Sequence, residues 1–312
     1  TLSLRYSTRL PGTPSLRYST RLPGTIHFRF LLINDEKLKD ILNKLTLGND
    51  GIYSYDFNNI DQEGEIKLRE SEANKTYDNY FDTLSKHHSI PVMNREVKLF
   101  CNRMPKNAKI IDVGGCWGWH WKSIVILRPD IKIFIVDFIK GNLHHAKKIL
   151  KDNINQNVYL IHGDAVDLIF DDNVFDGYWS VQTLQHIPDF KKAITEAHRV
   201  LKSGGLFVNY SLNTQPIVKF IYKLLRKEYM VKGRSRLFYL SRASQEQKNI
   251  ISKVFNQTVK ERYSEIIFKP ELKISFSGKE KSILGVLDGY LSNNIGLGSS
   301  IARQCSHHTH KK

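Results

Sequence analysis

The stretch Lys109-Ile-Ile-Asp-Val-Gly-Gly-Cys-Trp-Gly118 decides how this chain is read. Its first half, Lys109 to Val113, is a short apolar run of the kind that pleats into a buried strand. Its second half places glycine at 114, 115 and 118. There the backbone can turn sharply and approach a ligand that a side chain would exclude. A helical pattern follows, so the loop aims free N–H groups at a carboxylate or phosphate. Alone, this motif is shared by many nucleotide-binding folds.

Toward the C-terminus the alternation repeats. Lys132–Asp137 reads as a second strand, with a helix through Asn142–Lys151, and Val158–Ile161 as a third strand. Phe175–Ser180 is a fourth, followed by a helix over Phe190–Leu201, and Gly204–Tyr210 is a fifth. Strands alternating with helices predict βαβ units and a parallel sheet covered on both faces. Beyond Ser211, helices are expected at Pro216–Lys227, Ser244–Phe255 and Glu280–Leu291, and strands at Val259–Phe268 and Ser300–Cys305. That is enough chain for seven strands.

The loop does not stand alone. Asp137 ends the second strand, where an acidic side chain grips ribose hydroxyls. Gly163-Asp-Ala165 follows the third strand, Phe175-Asp-Gly-Tyr-Trp-Ser180 runs into Leu184-Gln-His-Ile-Pro-Asp189, and His198-Arg-Val-Leu-Lys-Ser-Gly-Gly-Leu-Phe207 leads into the fifth. In this order and spacing the motifs resemble the class I methyltransferases, most closely the type 11 family of small-molecule methyltransferases. The resemblance runs from Lys109 to about Tyr210, about a third of the chain. It implies a Rossmann-like α/β three-layer sandwich with a mostly parallel seven-stranded sheet and an N-terminal helical cap. It also implies S-adenosylmethionine as cofactor.

The roles it implies are specific. Gly114, Gly115, Cys116 and Gly118 would contact the methionine part by backbone, with Asp112 orienting the loop and reaching the amino group. Asp137 would hold the ribose, Phe138 would lie against the adenine, and Asp164 with Ala165 would flank its amino group. Ser180 and Val181 would sit near the sulfonium. Cys116 departs from the family's usual glycine and implies a slightly tighter pocket. Methyl transfer from an activated sulfur mostly requires alignment, and a general base only for a hydroxyl or an acidic carbon. His186 is the first candidate base, although the matching family position usually shapes a loop; His87, His88, Tyr77 and Tyr80 are alternatives. Trp117, Trp119, His120 and Trp121 are expected to pack the following helix.

The remaining sequence bounds the reading. Residues 1–25 hold a duplicated SLRYSTRLPGT and are expected to be a disordered basic tail; 26–104 form a helical, aromatic cap; 105–312 form the methyltransferase domain. In the cap, helices are expected at Asp35–Leu45 and Asn94–Met104. No metal site is expected: the three cysteines lack CxxC spacing, and His307–His310, His144 and His145 are read as solvated. The net charge of +16 favours anionic partners, although an AT-rich genome produces similar lysine-rich composition. Residues 216–243, with Lys219, Lys223, Arg226, Lys227, Lys232, Arg234 and Arg236, are expected to form a lid or a basic amphipathic surface for anionic membrane.

No apolar run approaches the roughly 20 residues of a spanning helix. Three cysteines argue against a disulfide scaffold, so a reducing, cytoplasmic setting is expected, with peripheral contact at the inner membrane face as an option. Neither an (Asn/Asp)-Pro-Pro-aromatic motif nor a Pro-Cys nucleophile occurs, so a small-molecule, lipid-linked or sugar-linked acceptor is favoured over nucleic acid. The alternatives are an RNA or protein methyltransferase using the basic face, and a silent binding protein of the same fold. A nicotinamide oxidoreductase would want Gly-x-Gly-x-x-Gly, which is absent.

Overall fold

The structure, a computed structural model, describes residues 36–57, 63–226, 245–274, 282–292 and 298–312. The repeat at 1–25 and the basic residues Lys227, Lys232, Arg234 and Arg236 lie outside them. Two compact units are present. The first, Thr1–Asp40, is described only from residue 36, and the second is Ile41–Lys312.

In chain order the elements are α1 (Glu36–Asn43), β1 (Thr46–Leu47), β2 (Tyr53–Ser54), α2 (Glu63–Ala73), α3 (Tyr80–Leu84), α4 (Ile90–Cys101) and β3 (Lys109–Val113). Then come α5 (Ile124–Leu127), β4 (Lys132–Asp137), α6 (Lys140–Leu150), β5 (Val158–His162), β6 (Phe175–Val181), α7 (Phe190–Val200) and β7 (Leu201–Leu212). The chain closes with α8 (Pro216–Leu224), α9 (Gln245–Phe255), β8 (Lys260–Ser264), α10 (Ile283–Leu291), α11 (Gly298–Ile301) and β9 (Gln304–His310).

One mixed sheet runs β1-β2-β5-β4-β3-β6-β7-β9-β8. The β5-β4-β3-β6-β7 core is parallel, and β9 inserts antiparallel between β7 and β8. The core strands are buried along nearly their whole length, as a sheet covered on both faces demands. On one face Trp179 of β6 packs against Phe100 of α4 and Tyr210 of β7, each 4.9 Å away between ring centroids. Aromatics fill the other face too: Phe134 stacks on Tyr159 at 5.0 Å, and Phe170 meets Phe175 edge-on at 4.9 Å.

Four expectations are corrected. The sheet has nine strands rather than seven, because β2 adds in parallel to the free edge of β5 and β1 folds back on β2. Two-residue strands carry no readable alternation; the open edge of β5 supplies their pairing partners. The helix expected from Asn94 begins at Ile90, with Pro91 in its first turn, where a missing N–H costs nothing. The last strand is Gln304–His310, and Gly298–Ile301 is helical. Consequently His307–Thr309 are buried inside the sheet rather than solvated, as is His145 on α6, which accepts from Tyr80 Oη at Nδ1 (2.9 Å) and donates from Nε2 to Ala73 O (2.7 Å). A strand of mostly polar residues hides its burial from any apolar pattern. Among the described residues no helix is long and apolar enough to cross a membrane.

Candidate active site

The order of the strands reverses between β3 and β6. In a doubly wound sheet, the crevice outside the carboxyl ends of the strands at such a reversal is where ligands bind. The loop Gly114–Gly118 leaves β3 at that place, and Thr183 follows β6 there. Thr183 Oγ1 donates to Gly114 O (3.1 Å), and Ser180 Oγ donates to Val113 O (2.8 Å), which ties the two strand ends together. Gly114 has φ +70°, and a Cβ on it would lie 2.1 Å from Thr183 Cγ2, so only glycine fits this close approach. Cys116 has φ 50° and an exposed side chain.

Asp112 lies beneath the loop, fully buried. Its Oδ2 accepts from Trp121 Nε1 (2.6 Å) and from His120 Nε2 (3.2 Å), while Oδ1 has no hydrogen-bond partner among the described residues. Trp117 and Trp119 are buried as well, Trp117 against Tyr77 and Tyr80 of the cap segment.

Asp137 sits at the end of β4, beside the loop. Its carboxylate accepts from the backbone N–H groups of Cys116 and Ile139, both at 2.9 Å, and from Asn142 Nδ2 at 3.2 Å. Burial pushes it up to about 6 despite those donors. Phe138 follows, half-buried, with Phe57 edge-on at 5.4 Å and His162 beyond. Asp164, after β5, is buried and raised by that burial, and it accepts from Val166 N–H at 3.1 Å.

Tyr55 and Phe57 are the residues that sequence reasoning missed. Tyr55 Oη accepts from Asp164 N–H (3.1 Å) and donates to Asp167 O (2.8 Å), while Phe57 touches Phe138 and His162. Both leave the end of β2, so the cap strand carries them onto the loop after β5. Their aromatic run was visible in the sequence, but its destination was not.

Ser180 is buried and Val181 half-buried at the end of β6. His186 lies in a 3-10 turn, Leu184–His186, half-buried, with Gln185 Nε2 at 3.4 Å from its Nε2. Gln185 Oε1 in turn accepts from Leu212 N–H (3.0 Å), so this turn is pinned to β7. His88, before α4, has its ring 6.0 Å from Trp119 and a buried Nδ1 with no hydrogen-bond partner among the described residues. Burial, helped by Arg303, His87 and His120, holds it down to about 3, a neutral imidazole. Next to it, Glu265 accepts from Ser89 N–H (2.8 Å) and pairs with Arg303 (2.7 Å), all of them buried.

A doubly wound sheet with a glycine loop at its switch point and an acid at the end of the next strand defines a nucleotide-cofactor fold. The profile of the family described as "Methyltransferase domain" matches residues 111–209. The demethylmenaquinone methyltransferase of Staphylococcus epidermidis is 33% identical over 200 residues, covering 62% of this chain and 80% of that protein. Among solved structures, a possible histamine N-methyltransferase from Thermotoga maritima superposes with TM-score 0.48 at 18% identity, covering 73% of this chain and 92% of that one. Phosphoethanolamine N-methyltransferase 2 of Haemonchus contortus, solved with S-adenosylmethionine, gives TM-score 0.48 at 18% identity, covering 70% and 52%. The chain belongs to the class I S-adenosylmethionine-dependent methyltransferases. It is an enzyme, and S-adenosylmethionine is its cofactor.

Proposed function

We propose that this methyltransferase acts on an apolar, lipid-like acceptor of the quinone kind named for its staphylococcal relative, taken from the surface of an anionic membrane. The carrying observation is the pair of apolar helices at the site's rim. α8 follows β7 and exposes Ile217, Phe220, Leu224 and Leu225 beside Lys219 and Lys223; α10 exposes Ile283, Leu284, Val286, Leu287 and Tyr290. β7 and β8 end level, since Leu212 and Ser264 both pair with Gln304. α8 starts almost directly after β7, and α10 lies beside the end of β8, where Asp288 accepts from the N–H groups of Ile266, Ile267 and Phe268 just after that strand. Exposed apolar area of this extent is uncommon on a surface that meets only water, and lysines at its margin suit anionic headgroups.

The residues fit the cofactor. Gly114 leaves a cradle that a Cβ would fill, and Asp137 and Asp164 are buried carboxylates facing the loop ends on successive strands. In this reading Gly114, Gly115, Cys116 and Gly118 hold the methionine part, and Asp112 sets the loop. Asp137 takes the ribose; Phe138, Asp164 and Ala165 take the adenine, with Phe57 and Tyr55 closing that end. Ser180 and Val181 floor the methyl end. When bound, the cofactor supplies an electrophilic methyl on a positive sulfur. The chain's part is to align the acceptor, exclude water and accept its proton. Two histidines are candidates for that proton: His186 lies in the turn pinned to β7, and His88 has a buried Nδ1 with no hydrogen-bond partner among the described residues, although the burial that holds it down to about 3 makes it the weaker base.

Calorimetric titration of S-adenosylmethionine and S-adenosylhomocysteine tests the pocket, alongside methyl transfer to a demethylated naphthoquinol in anionic vesicles. Micromolar binding, lost in Asp137→Ala, and labelled quinol are expected. Absence of binding to the folded protein sinks the site assignment. Binding with no labelled quinol sinks the acceptor alone.

A further inference from the structure

Away from the active site, the sheet face beneath α9 is polar and closed. Along β9, Cys305, His307 and Thr309 point to this face, with Asn209 and Ser211 of β7 on one side and Glu261 and Tyr263 of β8 on the other. The register sets Asn209, His307 and Glu261 in one row across three strands, and Ser211, Cys305 and Tyr263 in the next. α9 covers them: Gln247 accepts from Ser211 Oγ at 2.9 Å, and Lys248 Nζ donates to Glu261 Oε2 at 2.7 Å.

His307 has no exposed surface, and neither ring nitrogen has a hydrogen-bond partner among the described residues. Asn209 Oδ1, equally buried, is likewise without one. Buried polar atoms without a hydrogen-bond partner are rare in folded proteins, because each has given up water for nothing in return. One ligand atom from each of Glu261, Cys305 and His307 lies within 4.8 Å of the other two, and His307 Nε2 is 3.9 Å from Glu261 Oε1. Tetrahedral zinc at ordinary bond lengths wants its donors roughly 3.3–3.8 Å apart, a small side-chain adjustment from this arrangement.

We propose that Glu261, Cys305 and His307 form a binding site for one borderline-soft divalent cation, clipping β8 to β9 beneath α9. Thiolate, imidazole and carboxylate together suit zinc better than magnesium or calcium. Asn209 borders the fourth position. The metal takes the sulfur and the thiol proton leaves to solvent, so the cation's two charges meet one thiolate and one carboxylate, and the ammonium of Lys248 leaves the loaded cluster with one net positive charge at the partly exposed side of Glu261. Lys248 keeps Oε2 of Glu261 while the metal takes Oε1.

The test uses the full, tag-free chain, stripped with a chelator and titrated with zinc or cobalt. One zinc per chain is expected, and a thiolate-to-cobalt charge-transfer band. Cys305→Ser should abolish the band, and His307→Gln should weaken zinc at least by the order of tenfold to a hundredfold that loss of even an outer partner brings. His144→Ala and His310→Ala remove exposed imidazoles and should change neither readout. Circular dichroism and S-adenosylmethionine titration verify that the variants are folded. Zinc uptake equal in wild type and Cys305→Ser overturns the site and leaves the pocket to buried water. If Cys305→Ser does not fold, the wild-type cobalt spectrum decides, and the absence of a thiolate band overturns the proposal.

Discussion

Gly114 shows how narrow the tolerance of the cofactor loop is. Its φ of +70° costs an L-residue about 1–2 kcal/mol, and an added Cβ would overlap the Thr183 side chain at three atoms, all within 2.4 Å. Gly114→Ala should therefore lower thermal stability and sharply weaken binding of S-adenosylhomocysteine. Pairing it with Thr183→Gly removes the overlap but not the left-handed strain, so part of the affinity should return. Calorimetry on the single and double variants checks this; full recovery would show that the backbone strain is negligible. Such a clash was invisible in the sequence, because Thr183 is 69 positions away. The need for glycine was legible, but its partner was not.

Among the elements, α10 is built the wrong way round for a helix that faces water. It packs on α4 through glycines: Gly285 sits against Pro91, Gly289 against Arg95. Its buried Asp288 accepts from the backbone N–H groups of Ile266, Ile267 and Phe268, which fixes the loop after β8. The large apolar side chains are left outside. On the membrane reading, Phe220→Glu on α8 and Leu287→Glu on α10 should each reduce co-flotation with anionic vesicles, and the pair should abolish it. Cofactor affinity should stay unchanged, since neither residue lies at the glycine loop. Wild-type protein that ignores vesicles would remove the membrane from the proposal. The amphipathic pattern of α8 was readable from its spacing. The inverted face of α10 was not, because an apolar stripe reads as core until its covering is known.

For the molecule as a whole, the pair Glu265–Arg303 joins three distant parts of the chain. Glu265 follows β8, Arg303 precedes β9, and Glu265 also accepts from Ser89 N–H ahead of α4. Removing one partner strands a buried charge, and Arg303→Met should cost on the order of 3–5 kcal/mol at neutral pH. Burial raises Glu265 even with Arg303 present. A carboxyl raised by folding contributes stability below its ordinary range, and this is lost as pH rises through the raised value. Without Arg303 the value rises further, so the deficit of Arg303→Met should shrink on acidification. Denaturant unfolding across pH checks the sign, and a deficit that grows toward low pH refutes it. Glu265→Gln with Arg303→Met should lie nearer wild type than Arg303→Met alone.

The local sequence determined the parallel core and the order of its motifs. β3 and β4 stand where their apolar runs placed them, and the class of enzyme and its cofactor follow from motifs contained in single loops. These are short-range properties: a strand's burial, a turn's glycine and an acid at a strand end are each written in neighbouring residues. Only the tertiary structure decided that β1 and β2 would extend the sheet, that Tyr55 would reach Asp164, and that a polar, histidine-rich end would be buried between β7 and β8. Each depends on an open strand edge presented by remote chain. Backbone hydrogen bonding accepts any side chain there, so no apolar pattern announces it.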